Sequence, residues 1–97
     1  MTTSMESLRA DRGRILAIAE KYGASNIRVF GSVARKHNHL DSDIDFLVDM
    51  QPGHSLLDRI GLKQDLEDLL RCRVDVVTPK VLHEQIRDQI FQEAVLL

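Results

Sequence analysis

"GSVARKHNHLDSDID", residues 31–45, places a Gly-Ser pair ten residues before an Asp-x-Asp. The acids continue into "DIDFLVDM" (43–50), where charged and apolar residues alternate as they do along a half-buried strand. Side chains at i and i+2 of a strand share a face with their Cα atoms about 6.6 Å apart, so Asp43 and Asp45 are predicted to project together. Because the two carboxylates repel each other, a helix or a cation must balance them on that face.

The composition is that of a small globular protein. The chain has 97 residues, of which 43% are hydrophobic and 29% charged, enough apolar content for one core. Its formal net charge of -2 provides no broad positive field for a polyanion or an anionic membrane, so stable nucleic-acid binding is not expected. The single Cys72 cannot form an internal disulfide, and no segment is typical of a signal peptide or a membrane span. We expect one domain over residues 1–97, in the cytoplasm.

Hydrophobic periodicity and turn residues predict the order α-β-α-β-α-β-α. The helices are expected over Ser4–Tyr22, from Ser32 through "SVARK", from Ser55 to Leu70 and from Pro79 to about Gln92. The strands are expected over residues 26–30, 43–50 and 73–78, with the final "EAVLL" as a short strand or tail. Side chains expected to face the core are Ile44, Phe46 and Val48, then Leu56, Leu57, Ile60, Leu66, Leu69 and Leu70, and finally Val81, Leu82, Ile86 and Ile90. This pattern indicates an α/β (α+β) domain, a small mixed sheet of three to four strands flanked by about four helices.

A third acid lies in the middle of the last predicted strand. Asp75 stands between two valines in "RVDVVT" (73–78), where an acid has poor β propensity. If this strand neighbours the previous one, Asp75 joins the two earlier acids on one face. Three such carboxylates can hold two metal ions, or one metal ion beside a general base. An ion pair with Arg71 or Arg73 is the competing explanation for Asp75.

The Gly-Ser pair is suited to binding phosphate. Gly31 has no Cβ and lets a phosphate approach the backbone, and Ser32 supplies a hydroxyl and the start of a helical turn whose free N–H groups favour an anion. Arg35, one turn further, can add a phosphate contact, although Ser32 as a plain helix cap and Arg35 as a surface charge remain alternatives. Together with Mg²⁺ on the acids, these residues predict a site for phosphoryl or nucleotidyl transfer.

These residues resemble a known family. Gly-Ser, ten residues and "DID" are similar to the signature of the DNA polymerase beta-like nucleotidyltransferase superfamily, and "GSVAR…SDIDFLVDM" with "RVDVVT" resembles its minimal nucleotidyltransferase (MNT) branch from about residue 10 to the end. The resemblance implies the nucleotidyltransferase fold. It also implies that Asp43 and Asp45 bind Mg²⁺, that Asp75 is the third carboxylate and the base, and that Gly31 and Ser32 hold the phosphates of ATP.

The resemblance also implies a function and a partner. Many MNT proteins are antitoxins of HEPN-domain ribonuclease toxins, which implies transfer of AMP from Mg-ATP to a tyrosine hydroxyl of such a toxin. Lys36, where the family often has Gly, and the "HNHL" that follows depart from the pattern near the incoming nucleotide. The alternatives are a non-catalytic antitoxin that occludes its toxin, and nucleotide transfer to a small molecule or an RNA end, against which the net charge counts.

A few residues are expected to have structural roles only. Cys72 is predicted to be a small buried apolar residue, and Asp49 a charge at the end of a strand. The chain has more apolar residues than a small sheet requires. Leu96 and Leu97 at the terminus therefore predict a surface for a partner, if they are exposed.

Overall fold

The computed structural model of the chain describes residues 5–31, 44–82 and 84–97. Four α-helices, four strands and one short 3₁₀ helix lie in these residues. In chain order they are α1 (Met5–Ala10), α2 (Arg12–Lys21), β1 (Ala24–Phe30), β2 (Ile44–Met50), α3 (Leu56–Leu70), β3 (Val74–Val77), the 3₁₀ helix (Pro79–Val81), α4 (Glu84–Glu93) and β4 (Val95–Leu96). The helix predicted to begin at Ser32 and the Ser4 start of the first helix fall outside the described residues.

The strands form one mixed sheet in the order β3-β2-β1-β4. β1 pairs antiparallel with both β2 and β4, whereas β2 and β3 are parallel and are connected through α3. The expected neighbourhood of the second and third strands is therefore confirmed, as is the mixed sheet with about four helices. The terminal "EAVLL" contributes β4, in which Val95 pairs with Val29.

The core lies between one face of the sheet and helices α2 and α3. Ile44, Phe46 and Val48 are completely buried, as the alternation along β2 predicts. Leu62 and Leu66 of α3 cover them, together with residues of α2. The intervening Leu47 is also 0% exposed, so β2 is covered on both faces at its centre.

The first predicted helix is divided in two. Asp11 leaves helical geometry with φ -97° and ψ 11°, ending α1 and serving as the N-cap of α2. Its side chain makes no capping hydrogen bond; its N–H donates to Leu8 O at 3.1 Å, and its carbonyl oxygen accepts from the Ile15 N–H at 2.9 Å. The predicted end is correct, since Gly23 has φ +75° and donates its N–H to Glu20 O at 3.1 Å.

Helix α3 begins where the sequence indicates. The Ser55 N–H donates to Asp58 Oδ2 at 2.9 Å, one half of a capping box. This hydrogen bond, with the nearby His54, holds the pKa of the Asp58 carboxyl below its usual value. The predicted apolar stripe is wrong in the first two turns, because Leu56, Leu57 and Ile60 are exposed. Leu62 is the first completely buried residue of the helix.

The last predicted helix is also interrupted. The 3₁₀ helix ends at Leu82, whose extended backbone (φ -88°, ψ 136°) separates it from α4. Leu82 and Ile90 are half-buried, but Ile86 is 47% exposed and does not face the core. The side chain of Val81 lies outside the described part of the chain.

Candidate active site

Three adjacent strands bring their site residues to one end of the sheet. Phe30, the last residue of β1, pairs with Asp45 of β2, and Asp45 in turn pairs with Asp75 of β3. Residues directly opposite each other on neighbouring strands share a face, and neighbouring strands lie about 4.8 Å apart. The structure therefore places Asp45 and Asp75 side by side on one face of the sheet, with Gly31 at the end of the adjoining strand.

Alternation along both strands keeps these acids out of the core. Ile44 and Phe46 flank Asp45, and Val74 and Val76 flank Asp75, all four being buried against the helices. The acids consequently project from the opposite face, where Asp45 is half-buried and Asp75 is exposed. The exposed Asp75 carboxylate keeps much of its hydration in this position.

Gly31 packs directly against the Asp45 carboxylate. Its φ is +78°, a left-handed conformation, and the residue is buried. A Cβ added here would overlap Asp45 Oδ2 and lie 3.3 Å from its Cγ. Glycine is therefore required both by the backbone conformation and by the space that the carboxylate occupies. The observed role of Gly31 is to let the strand end approach Asp45.

Backbone hydrogen bonds hold β3 in register beside β2. The Ile44 N–H donates to Arg73 O at 3.0 Å at the beginning of the parallel pair. The Val74 N–H donates to Glu67 Oε2 at 3.2 Å, which ties the strand to the last turn of α3. Arg73 and Val74 directly precede Asp75 in the chain, so these two hydrogen bonds help to fix the position of Asp75 beside Asp45.

Asp43, Ser32 and Arg35 lie outside the described residues, and their roles stay predictions. Within the described ranges no three His, Cys, Asp or Glu side chains form a cluster able to hold a metal ion. The described site therefore consists of two carboxylates and the glycine. For Asp75, no ion pair with Arg71 or Arg73 occurs among the described residues, which leaves its carboxylate accessible.

Two cations beside Asp75 were not found by sequence reasoning. Arg59 and Lys63, one turn apart on α3, line a groove of about 190 Å³ together with Ile60, Asp75 and Val76. Their i, i+4 spacing was visible in the sequence, but their place beside Asp75 depends on α3 packing along β3. Of the two carboxylates, Asp75 lines this groove.

A second missed residue lies on the same face of the sheet. Arg28 of β1 faces the same side as Asp45, with its guanidinium 5.2 Å from the centre of the Phe91 ring. Its Nη1 is buried and has no hydrogen-bond partner among the described residues. A cation–π contact supplies part of the stabilisation that a hydrogen bond would otherwise give.

A larger cleft than this groove lies elsewhere. It has a volume of about 640 Å³ and lies at the far end of β2 and β3, where Asp49 and Thr78 line it. Asp49 is four positions after Asp45 on the strand, which corresponds to about 13 Å. Size alone therefore does not identify the site, and the carboxylate pair is the better guide.

Comparisons with known proteins identify the family of the chain. The family model described as Nucleotidyltransferase domain matches residues 14–97. Protein adenylyltransferase MntA of Thermococcus cleftensis is 41% identical over 78 residues, covering 80% of this chain and 79% of that protein. MJ0435 of Methanocaldococcus jannaschii, provisionally named a protein adenylyltransferase, is 43% identical over 82 residues, covering 84% and 88% of the two chains. The chain belongs to the nucleotidyltransferase family, in its minimal nucleotidyltransferase branch.

Solved structures show the same fold. A protein provisionally described as a minimal nucleotidyltransferase is 44% identical, with a TM-score of 0.88 over 98% of this chain and 97% of that one. A toxin–antitoxin crystal structure with AMP-PNP has a TM-score of 0.75 over 89% of this chain and 71% of that one, at 23% identity. The second likeness concerns the fold alone.

No helix in the described ranges is long and apolar enough to cross a membrane.

Proposed function

We propose that this nucleotidyltransferase transfers AMP from ATP to a tyrosine hydroxyl group of a partner HEPN-domain toxin. This transfer neutralises the toxin. The observation that carries the proposal is the pairing of Asp45 with Asp75 on one face of the sheet. Support comes from relatives named as protein adenylyltransferases and from a toxin–antitoxin complex of the same fold that contains AMP-PNP.

The described donors suit Mg²⁺. Two neighbouring carboxylates supply hard oxygen ligands, and Mg²⁺ binds through one or two carboxylates plus phosphate oxygens. Asp45, Asp75 and, from the sequence motif, Asp43 would hold it. When bound, it would neutralise the charge of the phosphate groups during transfer.

The residues of the chain have separate roles in the proposed reaction. Gly31, Ser32 and Arg35 bind the phosphates and direct the α-phosphate toward the acids. The acceptor oxygen bonds to the α-phosphorus, the bond from that phosphorus to the β-phosphate oxygen breaks, and pyrophosphate leaves. The hydroxyl proton passes to the Asp75 carboxylate, which acts as the general base.

The decisive experiment replaces Asp45 by Asn. The purified chain, Mg²⁺ and labelled ATP are incubated with the protein encoded by the adjacent gene, and label in that protein is measured. Asp45→Asn should slow transfer by about 100- to 1,000-fold, the range for losing one group that stabilises transition-state charge.

Asp49→Asn is the matched control. Asp49 lies on the same strand, and its carboxylate accepts a hydrogen bond from Asn26 Nδ2 at 2.7 Å, away from the carboxylate pair. This variant should transfer AMP at the wild-type rate. Equal rates for wild type and Asp45→Asn would refute the proposed reaction.

A non-catalytic antitoxin is the second candidate, favoured by the three large apolar side chains that α3 exposes, Leu56, Leu57 and Ile60. Such surfaces suit stoichiometric binding. An Asp45→Asn, Asp75→Asn double variant that still protects cells from the toxin would support occlusion. Loss of protection would support the transfer reaction.

A further inference from the structure

The first two turns of α3 form a surface that the core does not use. Leu56, Leu57 and Ile60 are 60%, 76% and 40% exposed, and they are three of the six large hydrophobic side chains exposed in the described ranges. Arg59 and Lys63 lie between and after them on the same helix. We call these five residues the α3 surface.

The α3 surface leads to the carboxylate pair. Ile60, Arg59 and Lys63 form one wall of the 190 Å³ groove, and Asp75 forms part of the other. In the opposite direction, Leu56 and Arg59 also line the 640 Å³ cleft. The surface is therefore continuous from this cleft to the proposed general base.

The geometry of phosphoryl transfer indicates whether ATP or the acceptor approaches the site from the α3 surface. The attacking oxygen and the leaving oxygen lie roughly in line through the phosphorus. Gly31 follows β1, inside the sheet, whereas Asp75 is on β3, the outer strand. With the phosphates at Gly31, as the proposed function has it, the acceptor hydroxyl arrives from the β3 side, which the α3 surface borders.

Charge adds a requirement on the acceptor. Across the described part of the chain, neither Arg59 nor Lys63 forms an ion pair. Both stand beside Asp75 on a protein whose net charge is -2. Unpaired cations at the edge of an apolar surface complement carboxylates on a partner and steer its approach.

We propose that the α3 surface is where the acceptor protein docks. Leu56, Leu57 and Ile60 make the apolar contact, and an acidic group of the acceptor pairs with Arg59 and Lys63. The inference rests on the proposed function, since it assigns the acceptor's position at the same site. Of the other exposed apolar side chains, Leu96 belongs to β4, at the opposite edge of the sheet.

The experiment compares Leu57→Glu with Leu96→Glu, two side chains of similar exposure at opposite edges. Affinity for the purified product of the adjacent gene is measured by calorimetry without ATP, and AMP transfer is measured over a range of acceptor concentrations. Leu57→Glu should weaken binding and raise KM for the acceptor by about tenfold or more, as for an interface anchor. The value of kcat and the KM for ATP should not change. Leu96→Glu should behave as wild type.

Arg59→Glu, Lys63→Glu tests the electrostatic part. Its binding should also weaken, and the loss of affinity that wild type shows as salt is added should largely disappear. Circular dichroism and thermal melting confirm that each variant is folded.

The readouts separate the two proposals. Equal binding by Leu57→Glu and Leu96→Glu, or no binding by wild type, would overturn the docking surface. Binding that is lost in Leu57→Glu while wild type transfers no AMP would uphold the docking surface and refute the proposed reaction.

Discussion

Gly31→Ala is the sharpest test of the site geometry. Gly31 has φ +78° and lies against the Asp45 carboxylate, so an added methyl group meets two penalties at once. An L-residue in left-handed geometry costs about 1–2 kcal/mol. The methyl group also overlaps Asp45 Oδ2, and ordinary van der Waals contact requires the carboxylate to move away.

The two penalties have different magnitudes and different readouts. The backbone term lowers the free energy of unfolding by about 1–2 kcal/mol, which for a domain of this size lowers Tm by about 4–16 °C. The steric term displaces a reacting group by about 1 Å, an error that can slow an enzyme by about 100-fold. We therefore expect a moderate loss of stability with a large loss of AMP transfer.

Gly53→Ala is the matched control. Gly53 has φ +92°, but no atom lies within 4 Å of the position that its Cβ would take. This variant has the backbone penalty without the steric one, so its Tm should fall while its transfer rate stays at the wild-type value. Melting is followed by circular dichroism and transfer by labelled ATP. Equal transfer rates for Gly31→Ala and Gly53→Ala would refute the claim that Gly31 makes room for Asp45.

Three further predictions concern stability. Gly13→Ala, at an open and exposed position of α2, should stabilise the protein by about 0.5–1 kcal/mol through helix propensity. Gly61→Ala should instead lower Tm, because its Cβ would lie 2.6 Å from Tyr22 Cε1 and disturb the 2.8 Å hydrogen bond from Tyr22 to Asp65; a Tm above wild type would contradict this packing. Asp58→Asn should lower Tm at neutral pH, since the carboxylate accepts the Ser55 N–H, and this bond keeps the pKa of Asp58 below its ordinary value of 3.8. A carboxylate whose pKa is lowered by folding stabilises the fold above its ordinary pKa, and this stabilisation is lost as the pH falls through the pKa of the folded state. The difference in Tm between wild type and Asp58→Asn should therefore shrink below pH 3.8. Melts in which this difference stays constant with pH would exclude the role of Asp58.

The alternation of β2 and the capping residues of α3 were readable because they are local. Asp45 lies between Ile44 and Phe46, and burial of those two residues requires the acid to face away. Ser55 and Asp58 form their capping box within one turn of chain. Interactions of this range depend only on the residues that the sequence shows side by side.

The exposed start of α3 could not be read in the same way. Leu56 and Leu57 follow the helical period of a buried stripe, yet β3 is a four-residue edge strand and the stripe extends past it. The prediction that Ile86 of α4 faces the core was wrong for a related reason, because the interruption at Leu82 changes the direction of the last helix. Periodicity reports which residues share a face, but not whether another element covers that face.

The sequence by itself determined the strand that carries Asp45, the small sheet with its flanking helices, and a residue without a Cβ at position 31. Only the tertiary structure decided that Asp75, 30 positions later, pairs with Asp45, that Gly31 closes on that carboxylate, and that Arg59 and Lys63 stand beside Asp75. The physical reason is the separation along the chain of the residues that interact. Local geometry follows from neighbouring dihedral angles and side chains, whereas strand pairing and helix position follow from burial summed over the whole core.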